Sequence, residues 1–467
     1  MIDDTIAAIS TPLGEGGIGI VRISGPDAIN IVKAIFKPVK DRDLDNENFK
    51  IIYGHIYNNN NNSDTVNREI IDEVLVSVMR APNTYTKEDI IEINCHGGSL
   101  PVREILELVL SKGARLAEPG EFSKRAFLNG RLDMAQAEAI IDIIRSTTGD
   151  ALKLAVGQLK GGLSRKIDFI QNELLEITAF IEANIDFPED EIEEYNLTTI
   201  KTKVKKVKEE IKNLLDTADT GRIYRNGLKT VITGKPNVGK SSLLNVLLKE
   251  KRAIVTDIPG TTRDVIEEIL NLGGVPVKII DTAGIRDTDD MIEKIGVEKS
   301  KSAIEEAEMI LMVFDSNEEY DYEDEKIVKM VEKKCGIKVL NKIDLKNNRK
   351  NINYKIKEVL PNWPLIEISA IKEKGIEKLE KKIVDMVTGG KSITSDTAII
   401  SNIRHKNQLK KALIHLEDVL VAVDKGMPLD IIAIDIRGAW EAVGEINGTA
   451  VTENIIDKIF AEFCIGK

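Results

Sequence analysis

The chain has 467 residues, of which 42% are hydrophobic and 30% charged, and a formal net charge of −12. That length suits two to four domains of ordinary globular composition, and the negative balance argues against a surface that coats nucleic acid throughout. No apolar run approaches the roughly 18 residues of a membrane span, Met1–Ser10 lacks the basic and apolar regions of a secretory signal, and Cys95, Cys335 and Cys464 show neither metal-ligand nor disulfide spacing, so a reducing cytoplasmic compartment is expected.

In chain order, residues 1–131 are predicted to be mixed α/β. Glycines at 14, 16, 17 and 19 precede a short alternating strand, Ile20–Ser24, and Asp27–Phe36 has helical apolar spacing. Five asparagines, Asn58–Asn62, predict a loop insertion, and Glu73–Met79 and Asp89–Cys95 predict strands. In the second strand, alternation puts Ile91, Ile93 and Cys95 on one face and Glu92, Asn94 and His96 on the other. His96-Gly97-Gly98 then opens a helix over Pro101–Leu110.

From residue 132 the pattern turns helical. Leu152, Val156, Leu159, Leu163, Ile167, Ile170, Leu174, Ile177 and Ile181 form one apolar stripe, in which Gly157, Gly161 and Gly162 predict a bend or a close helix contact. Thr198–Leu215 is a further helix, and its lysine cluster Lys201–Lys208 reads as a solvated face. Gly221–Gly227 reads as a linker. Strands then alternate with helices to residue 389, at Leu228–Thr233, Val275–Asp281, Met309–Phe314, Lys338–Leu340 and Leu365–Ile368, which predicts a mostly parallel sheet. Thr388–Ser401 is a polar connection. The rest is helical again, over Asn407–Val423, Leu429–Val443 and Thr449–Phe463. The predicted organisation is an α/β domain at 1–131, a helical domain in two parts at 132–223 and 390–467, and an α/β P-loop module at 224–389 inserted at a loop of the helical domain.

The chemistry is densest at Gly234-Lys235-Pro236-Asn237-Val238-Gly239-Lys240-Ser241, between a predicted strand and a predicted helix. Glycines let successive backbone N–H groups turn toward a phosphate chain, and the helix adds its positive end. Lys240 can reach the β- and γ-phosphates and Ser241 can ligate Mg²⁺. Asp281-Thr282-Ala283-Gly284 follows an apolar strand, so Asp281 can hold the Mg²⁺ shell through water and the Gly284 N–H can sense a γ-phosphate. Thr262 is a candidate second Mg²⁺ ligand. Asn341-Lys342-Ile343-Asp344 places a carboxylate that can accept two N–H groups from guanine, whereas adenine offers no such pair. Ser369-Ala370-Ile371 lies where a base-contacting loop belongs. Four motifs in this order define a GTP-binding domain resembling the translation-factor-related G proteins.

One departure matters: Ile285 stands where Ras-like proteins carry a water-orienting glutamine, and an apolar side chain cannot do that work. Glu293 is a candidate to position the water, although on residues alone a solvated loop carboxylate is the stronger reading. Asn237 offers a ligand for a K⁺ ion that replaces the charge of an arginine finger.

The whole chain resembles the MnmE (TrmE) family of tRNA-modification GTPases. The resemblance rests on Thr5–Ala8, Gly16–Gly25, His96–Gly98, Pro119–Ser123, Arg125–Gly130, Leu132-Asp133, Gly234–Asn245, Asp281–Arg286 and the terminal Cys464-Ile465-Gly466-Lys467. It implies an N-terminal folate-binding and dimerising domain, a helical domain and an inserted G domain. It implies that K⁺ drives two G domains together, with Asn237, Thr256, Ile258 and Thr261 as its ligands, and that Glu293 is catalytic. It implies Mg²⁺ on Ser241 and Thr262. Guanine-nucleotide contacts fall on Asn237, Val238, Gly239, Lys240, Ser241 and Ser242, on Thr256, Asp257, Ile258, Pro259, Gly260, Thr261 and Thr262, on Asp281, Thr282, Ala283 and Gly284, on Asn341, Lys342 and Asp344, and on Ser369, Ala370 and Ile371. Arg22, Glu92, Arg131 and Lys467 would contact a tetrahydrofolate one-carbon derivative, the pterin edge being read by Glu92 as guanine is by Asp344. The expected partners are a second copy, tRNA and the flavoprotein MnmG, which carries FAD. Together they would install an aminomethyl-type group on C5 of the wobble uridine. Cys464 reads either as a small buried residue beside Phe460 and Phe463 or as a nucleophilic thiol. Competing functions are an RNA-binding assembly GTPase and a switch that only recruits partners.

Overall fold

The structure is a computed structural model that describes residues 4–58, 69–186, 197–251, 268–280, 302–345, 355–390 and 398–467. It forms two compact units, Met1–Ile141 with Gly444–Lys467, and Asp142–Val443. These units are defined by packing, whereas the four-part division of the sequence is one of element type.

In the first unit, seven strands form one sheet: β1 (Ile6–Ile9), β2 (Gly16–Ser24), β3 (Phe36–Pro38), β4 (Lys50–Asn58), β5 (Glu69–Met79), β6 (Ile90–Gly97) and β7 (Arg115–Leu116), in the order β3-β4-β5-β6-β2-β1-β7. All neighbours pair antiparallel except β1 and β7. Residue alternation decides the faces. Ile52, Ile56, Val74, Val76, Val78, Ile91, Ile93 and Cys95 point to a core closed by helices Ala28–Ile35 and Ser99–Ser111. Each such side chain contributes about 1.5–3 kcal/mol on burial. The opposite face keeps Ile51, Tyr53 and Leu75 exposed. Asn58 ends β4, and the remaining asparagines of the predicted insertion lie outside the described residues.

A buried ionic cluster ties the start of the chain to helix Glu121–Leu128. Arg125 is fully buried and its guanidinium meets Asp4 at 2.7 Å, Glu121 at 3.0 Å and Glu88 at 3.3 Å. Arg115 adds a bond to Glu121 at 2.7 Å. Burial works against the Glu121 charge, but Arg115, the Glu118 N–H and Arg125 together hold its carboxyl below the ordinary glutamate range. The last helix, Glu453–Phe460, packs Ile456 and Phe460 against Met134, Ala137 and Ile141.

In the second unit, the predicted single stripe is two helices, Gly149–Leu159 and Gly162–Asp186. Gly161 separates them with a φ of +79°, a left-handed turn that glycine adopts without steric cost. Helix Leu197–Asp216 buries Ile200, Val204, Val207, Ile211 and Leu214 and lies along helix Ile403–Asp424, so helices from before and after the nucleotide module share one bundle. The lysine cluster is not simply solvated. Lys203 and Lys206 reach Glu176 and Glu173 at 2.6 and 2.8 Å, Lys208 reaches Glu417 at 2.9 Å, and Lys201 pairs with Asp424. The predicted linker at 221–227 is instead mostly helix, Ala218–Asn226. Within that helix a Cβ on residue 221 would come within 2.2 Å of the Ile400 carbonyl, so Gly221 marks close packing and not a flexible connection.

The module's sheet contains β8 (Leu228–Thr233), β9 (Glu268–Leu272), β10 (Val275–Ile279), β11 (Met309–Asp315), β12 (Gly336–Asn341) and β13 (Leu365–Glu367), in the order β13-β12-β11-β8-β10-β9. Five strands run parallel. The sixth, β9, escaped the sequence pattern. It pairs antiparallel with β10 through Gly273-Gly274, a two-residue hairpin with φ of +55° and +93°.

Candidate functional site

The nucleotide site begins where β8 ends. Gly234 has a φ of +147° and a Cβ there would lie 2.3 Å from the Val313 carbonyl; Gly239 has a φ of +98° and a Cβ there would lie 2.2 Å from Asn341 Nδ2. Both positions therefore demand glycine. Between them Asn237 is left-handed at φ +61° and exposed, and Val238 is buried. Helix Lys240–Lys251 starts immediately after. Lys240 Nζ donates to the Gly234 and Lys235 carbonyls at 3.0 and 2.7 Å, inside the concavity a phosphate chain would fill, and burial lowers its pKa. Ser241 stands exposed at the helix start, within the positive end of the helix dipole.

The base-reading residues are fastened to this loop. Asn341, at the end of β12, donates from Nδ2 to the Val238 carbonyl at 2.9 Å and accepts at Oδ1 from the Ala370 N–H at 3.0 Å. Lys342 donates to the Asn237 carbonyl at 2.7 Å and pairs with Asp315 at 2.6 Å. Asp344 is an exposed residue whose carboxylate accepts from Ser369 Oγ at 2.6 Å. Ala370 is buried and Ile371 exposed beside it. Three sequence motifs, the phosphate loop, Asn341–Asp344 and Ser369–Ile371, therefore converge from distant parts of the chain.

Asp315 and Lys235 were missed by the sequence reading. Burial opposes the Asp315 charge, yet the Lys342 ammonium and the Asn317 amides hold its pKa below the ordinary range. Its position at the C-terminal end of a parallel strand was the available signal. Lys235 is buried against Asp321 and Asp324, each at 3.0 Å, and so stiffens the loop from behind. Thr256, Asp257, Ile258, Pro259, Gly260, Thr261, Thr262, Asp281, Thr282, Ala283, Gly284 and Glu293 lie outside the described residues.

A second constellation lies in the first unit. Arg22 on β2 sits directly opposite Glu92 on β6, and its Nε and Nη2 both meet Glu92 Oε1 at 2.8 Å. Arg22 Nη1 donates to the Gly466 carbonyl at 3.0 Å, and Ser10 Oγ donates to the same oxygen at 3.1 Å. The terminal tail is held there by shape as well. Gly466 has a φ of +89°, and a Cβ on it would come within 2.3 Å of the Ile9 carbonyl. Glu92 Oε2 has no hydrogen-bond partner among the described residues, so it can accept from an amino-lactam edge. Arg131 lies over the Tyr85 ring at 4.7 Å. Arg22 lies 5.7 Å from the Phe122 ring centroid.

Tyr85 is the residue that sequence reasoning missed. Its hydroxyl bonds Ser123 Oγ at 2.7 Å, and burial raises its pKa against the field of Arg131 and Arg22. Lys467 follows Gly466, but its ammonium makes no hydrogen bond among the described residues. Cys464 is exposed, which corrects the buried alternative, although Phe460 and Phe463 beside it are buried. Cys95 is buried in the sheet core, and desolvation with the Asp72 charge pushes its thiol up to about 11.

Together these features define a multidomain P-loop G protein, with an α/β N-terminal unit and a G module set within a helical domain. Residues 5–131 match the family described as GTP-binding protein TrmE N-terminus, and residues 134–464 match the MnmE helical domain. The chain is similar to the tRNA modification GTPase MnmE of Desulforamulus reducens, 53% identical, and of Clostridioides difficile, 51% identical, each over 100% of both chains. Among solved structures it is similar to Aquifex aeolicus Era bound to GDP·AlF4⁻, at 30% identity over 40% of this chain and 65% of that one, with a TM-score of 0.28. The chain belongs to the MnmE family of tRNA modification GTPases.

Proposed function

We propose that this protein hydrolyses GTP and couples that hydrolysis to modification of the wobble uridine of tRNA at C5, working as a homodimer with the flavoprotein MnmG and using a tetrahydrofolate one-carbon unit. The observation that carries the GTP half is the hydrogen-bonded junction of Asn341 with Val238 and Ala370, which locks the phosphate loop to the base-reading loops. A nucleotide spanning both is held at its two ends by a rigid frame. Lys240 then exchanges its loop carbonyls for phosphate oxygens, and the Asp344 carboxylate takes guanine N1–H and the exocyclic amine.

Mg²⁺ would be held by Ser241 and Thr262, and K⁺ by Asn237, Thr256, Ile258 and Thr261. When bound, these ions would supply positive charge that offsets the negative charge of the phosphates. The donor chemistry at the described positions is suitable. Ser241 presents a hydroxyl at a helix start, and the Asn237 side chain is exposed, although its main-chain carbonyl is already taken by Lys342. Glu293 would orient the attacking water in place of the glutamine that Ile285 replaces.

Arg22, Glu92, Arg131 and Lys467 would bind folate. The open Oε2 of Glu92 supports this, and so does the Arg22 fork, which fixes the carboxylate's orientation. The exposed apolar face at Ile51, Tyr53 and Leu75 supports dimerisation through the N-terminal sheet. Ser77 pairs with Glu92 and Leu75 with Asn94, so the folate pair lies on that same face.

Profiling of wobble uridines in cells lacking the protein tests the proposal. Loss of the C5 group supports it, and an unchanged profile favours the assembly GTPase. GTP turnover in K⁺ is expected to exceed that in Na⁺ by at least about tenfold, and Asn237→Ala to abolish the difference. Equal rates in the two salts would remove K⁺ from the mechanism.

A further inference from the structure

A cleft of about 440 Å³ opens beside Arg131, lined by Phe49, Met79, Pro82 and Tyr85 on its apolar side and by Lys87 on its rim, with Asn83 and Thr84 completing it. The volume is that of a small-molecule site. Its charge is unusual for a chain of net charge −12. Among the described residues, two cations line it and no carboxylate does. Neither cation is neutralised by an ion pair among the described residues. Arg131 lies flat on Tyr85, and Lys87 Nζ spends one donor on the Gly130 carbonyl at 3.1 Å. Lys87 has a left-handed backbone at φ +60°, and that hydrogen bond fixes its position at the cleft edge. The carboxylates nearest in sequence are engaged elsewhere: Glu88 with Arg125 and Ser24, and Asp89 with Arg80 and the Ala81 N–H.

Tyr85 links the cleft to the neighbourhood of the Arg22–Glu92 pair through two adjacent residues of one helix. Phe122 lies under Arg22, and Ser123 bonds the Tyr85 hydroxyl. Arg131 is stacked on the Tyr85 ring in the cleft, and the Arg22 charge also acts on the Tyr85 hydroxyl.

We propose that this cleft is the subsite for the aminobenzoyl and γ-linked oligoglutamate portion of folate, with Lys87 and Arg131 pairing with the tail carboxylates, so that the protein selects polyglutamylated over monoglutamylated cofactor. The proposal rests on the folate reading of Arg22 and Glu92 and adds a specificity residue, Lys87, to it. The chemistry matches part by part. A flat ring suits the Tyr85–Phe49–Pro82 surface, and a chain with one carboxylate per unit suits a cation-lined exit that offers no competing acid. Exposed charge pairs of this kind are each worth up to about fivefold in affinity and weaken with salt.

Titration of the full chain with a tetrahydrofolate monoglutamate and with its γ-linked pentaglutamate tests this. The pentaglutamate is expected to bind about tenfold more tightly at low salt and to lose most of that advantage at 0.5 M salt. Lys87→Gln keeps a donor for the Gly130 carbonyl and removes the charge, so it should leave monoglutamate affinity within twofold and reduce the pentaglutamate advantage to about twofold. Lys87→Glu should reverse the preference, and Lys87→Arg should restore it. Equal affinities of the two ligands for the wild type, or an advantage undiminished in Lys87→Gln, would overturn the subsite while leaving the pterin reading intact. Failure of both ligands to bind the wild type would overturn the folate reading and the subsite with it.

Discussion

Asp344 shows how one carboxylate sets base choice. Both of its oxygens can accept, and Ser369 Oγ orients one of them from 2.6 Å. Asp344→Asn replaces an acceptor with a donor. It is expected to lower GTP affinity by at least about a hundredfold and to raise affinity for xanthosine triphosphate, whose C2 carbonyl suits the new donor. Competition binding with the two nucleotides reads this directly, and unchanged preference would place guanine recognition elsewhere. The cysteines separate in the same local way. Cys335 and Cys464 are exposed, whereas Cys95 is buried with its thiol pushed up to about 11. An aromatic disulfide reagent at pH 8 should count two fast thiols in the native protein and three in denaturant. A third fast native thiol would contradict the packing of β6.

At the scale of elements, the phosphate loop depends on a neighbour 102 residues away in sequence, because Gly239 is where Asn341 passes closest. Gly239→Ala must place a Cβ 2.2 Å from Asn341 Nδ2 at a φ that alanine resists. Fluorescent-GDP titration is expected to show a loss of about a hundredfold, and Asn341→Ala a comparable one, because the Val238 carbonyl and Ala370 N–H lose their shared partner. If Gly239→Ala binds normally, the two loops are less tightly joined than the hydrogen bonds indicate. The missed hairpin β9–β10 and the helix Ala218–Asn226 have a common cause. Gly221 reads as the start of a linker yet permits close packing, and Gly273-Gly274 closes a tight turn. A glycine's purpose is set by what approaches it, and that lies outside any local window.

For the molecule as a whole, the Arg125 cluster sets how the N-terminal unit responds to acid. Burial opposes the charges of Asp4 and Glu121, but the arginines hold both pKa values below their ordinary ranges. A depressed carboxylate contributes stability above its unfolded pKa and loses it as pH falls through the folded value. The contribution of this cluster is therefore expected to be constant from pH 7 to 5 and to fall below the ordinary glutamate value of 4.5. Arg125→Met leaves the partly buried Glu88 and buried Glu121 with reduced pairing and should cost about 3–5 kcal/mol. It should also flatten the acid limb of the stability profile, which urea unfolding across pH would show. An unaltered limb would assign acid sensitivity to other carboxylates.

The nucleotide motifs, the strand–loop–helix that carries them and the mostly parallel sheet were legible in sequence because each is a local pattern: eight contiguous residues make the loop, and periods of two and 3.6 make the elements. The alternation that put Glu92 opposite Cys95 was legible for the same reason. Arg22 and Glu92 could be named as partners only through the family resemblance. Their shared bond to Gly466, the stacking of Arg131 on Tyr85, and the cation-lined cleft were beyond the sequence. Antiparallel register, a terminal tail threaded against β1 and the docking of helix Glu121–Leu128 bring these residues together from five separate stretches of chain, and no sequence spacing encodes that distance.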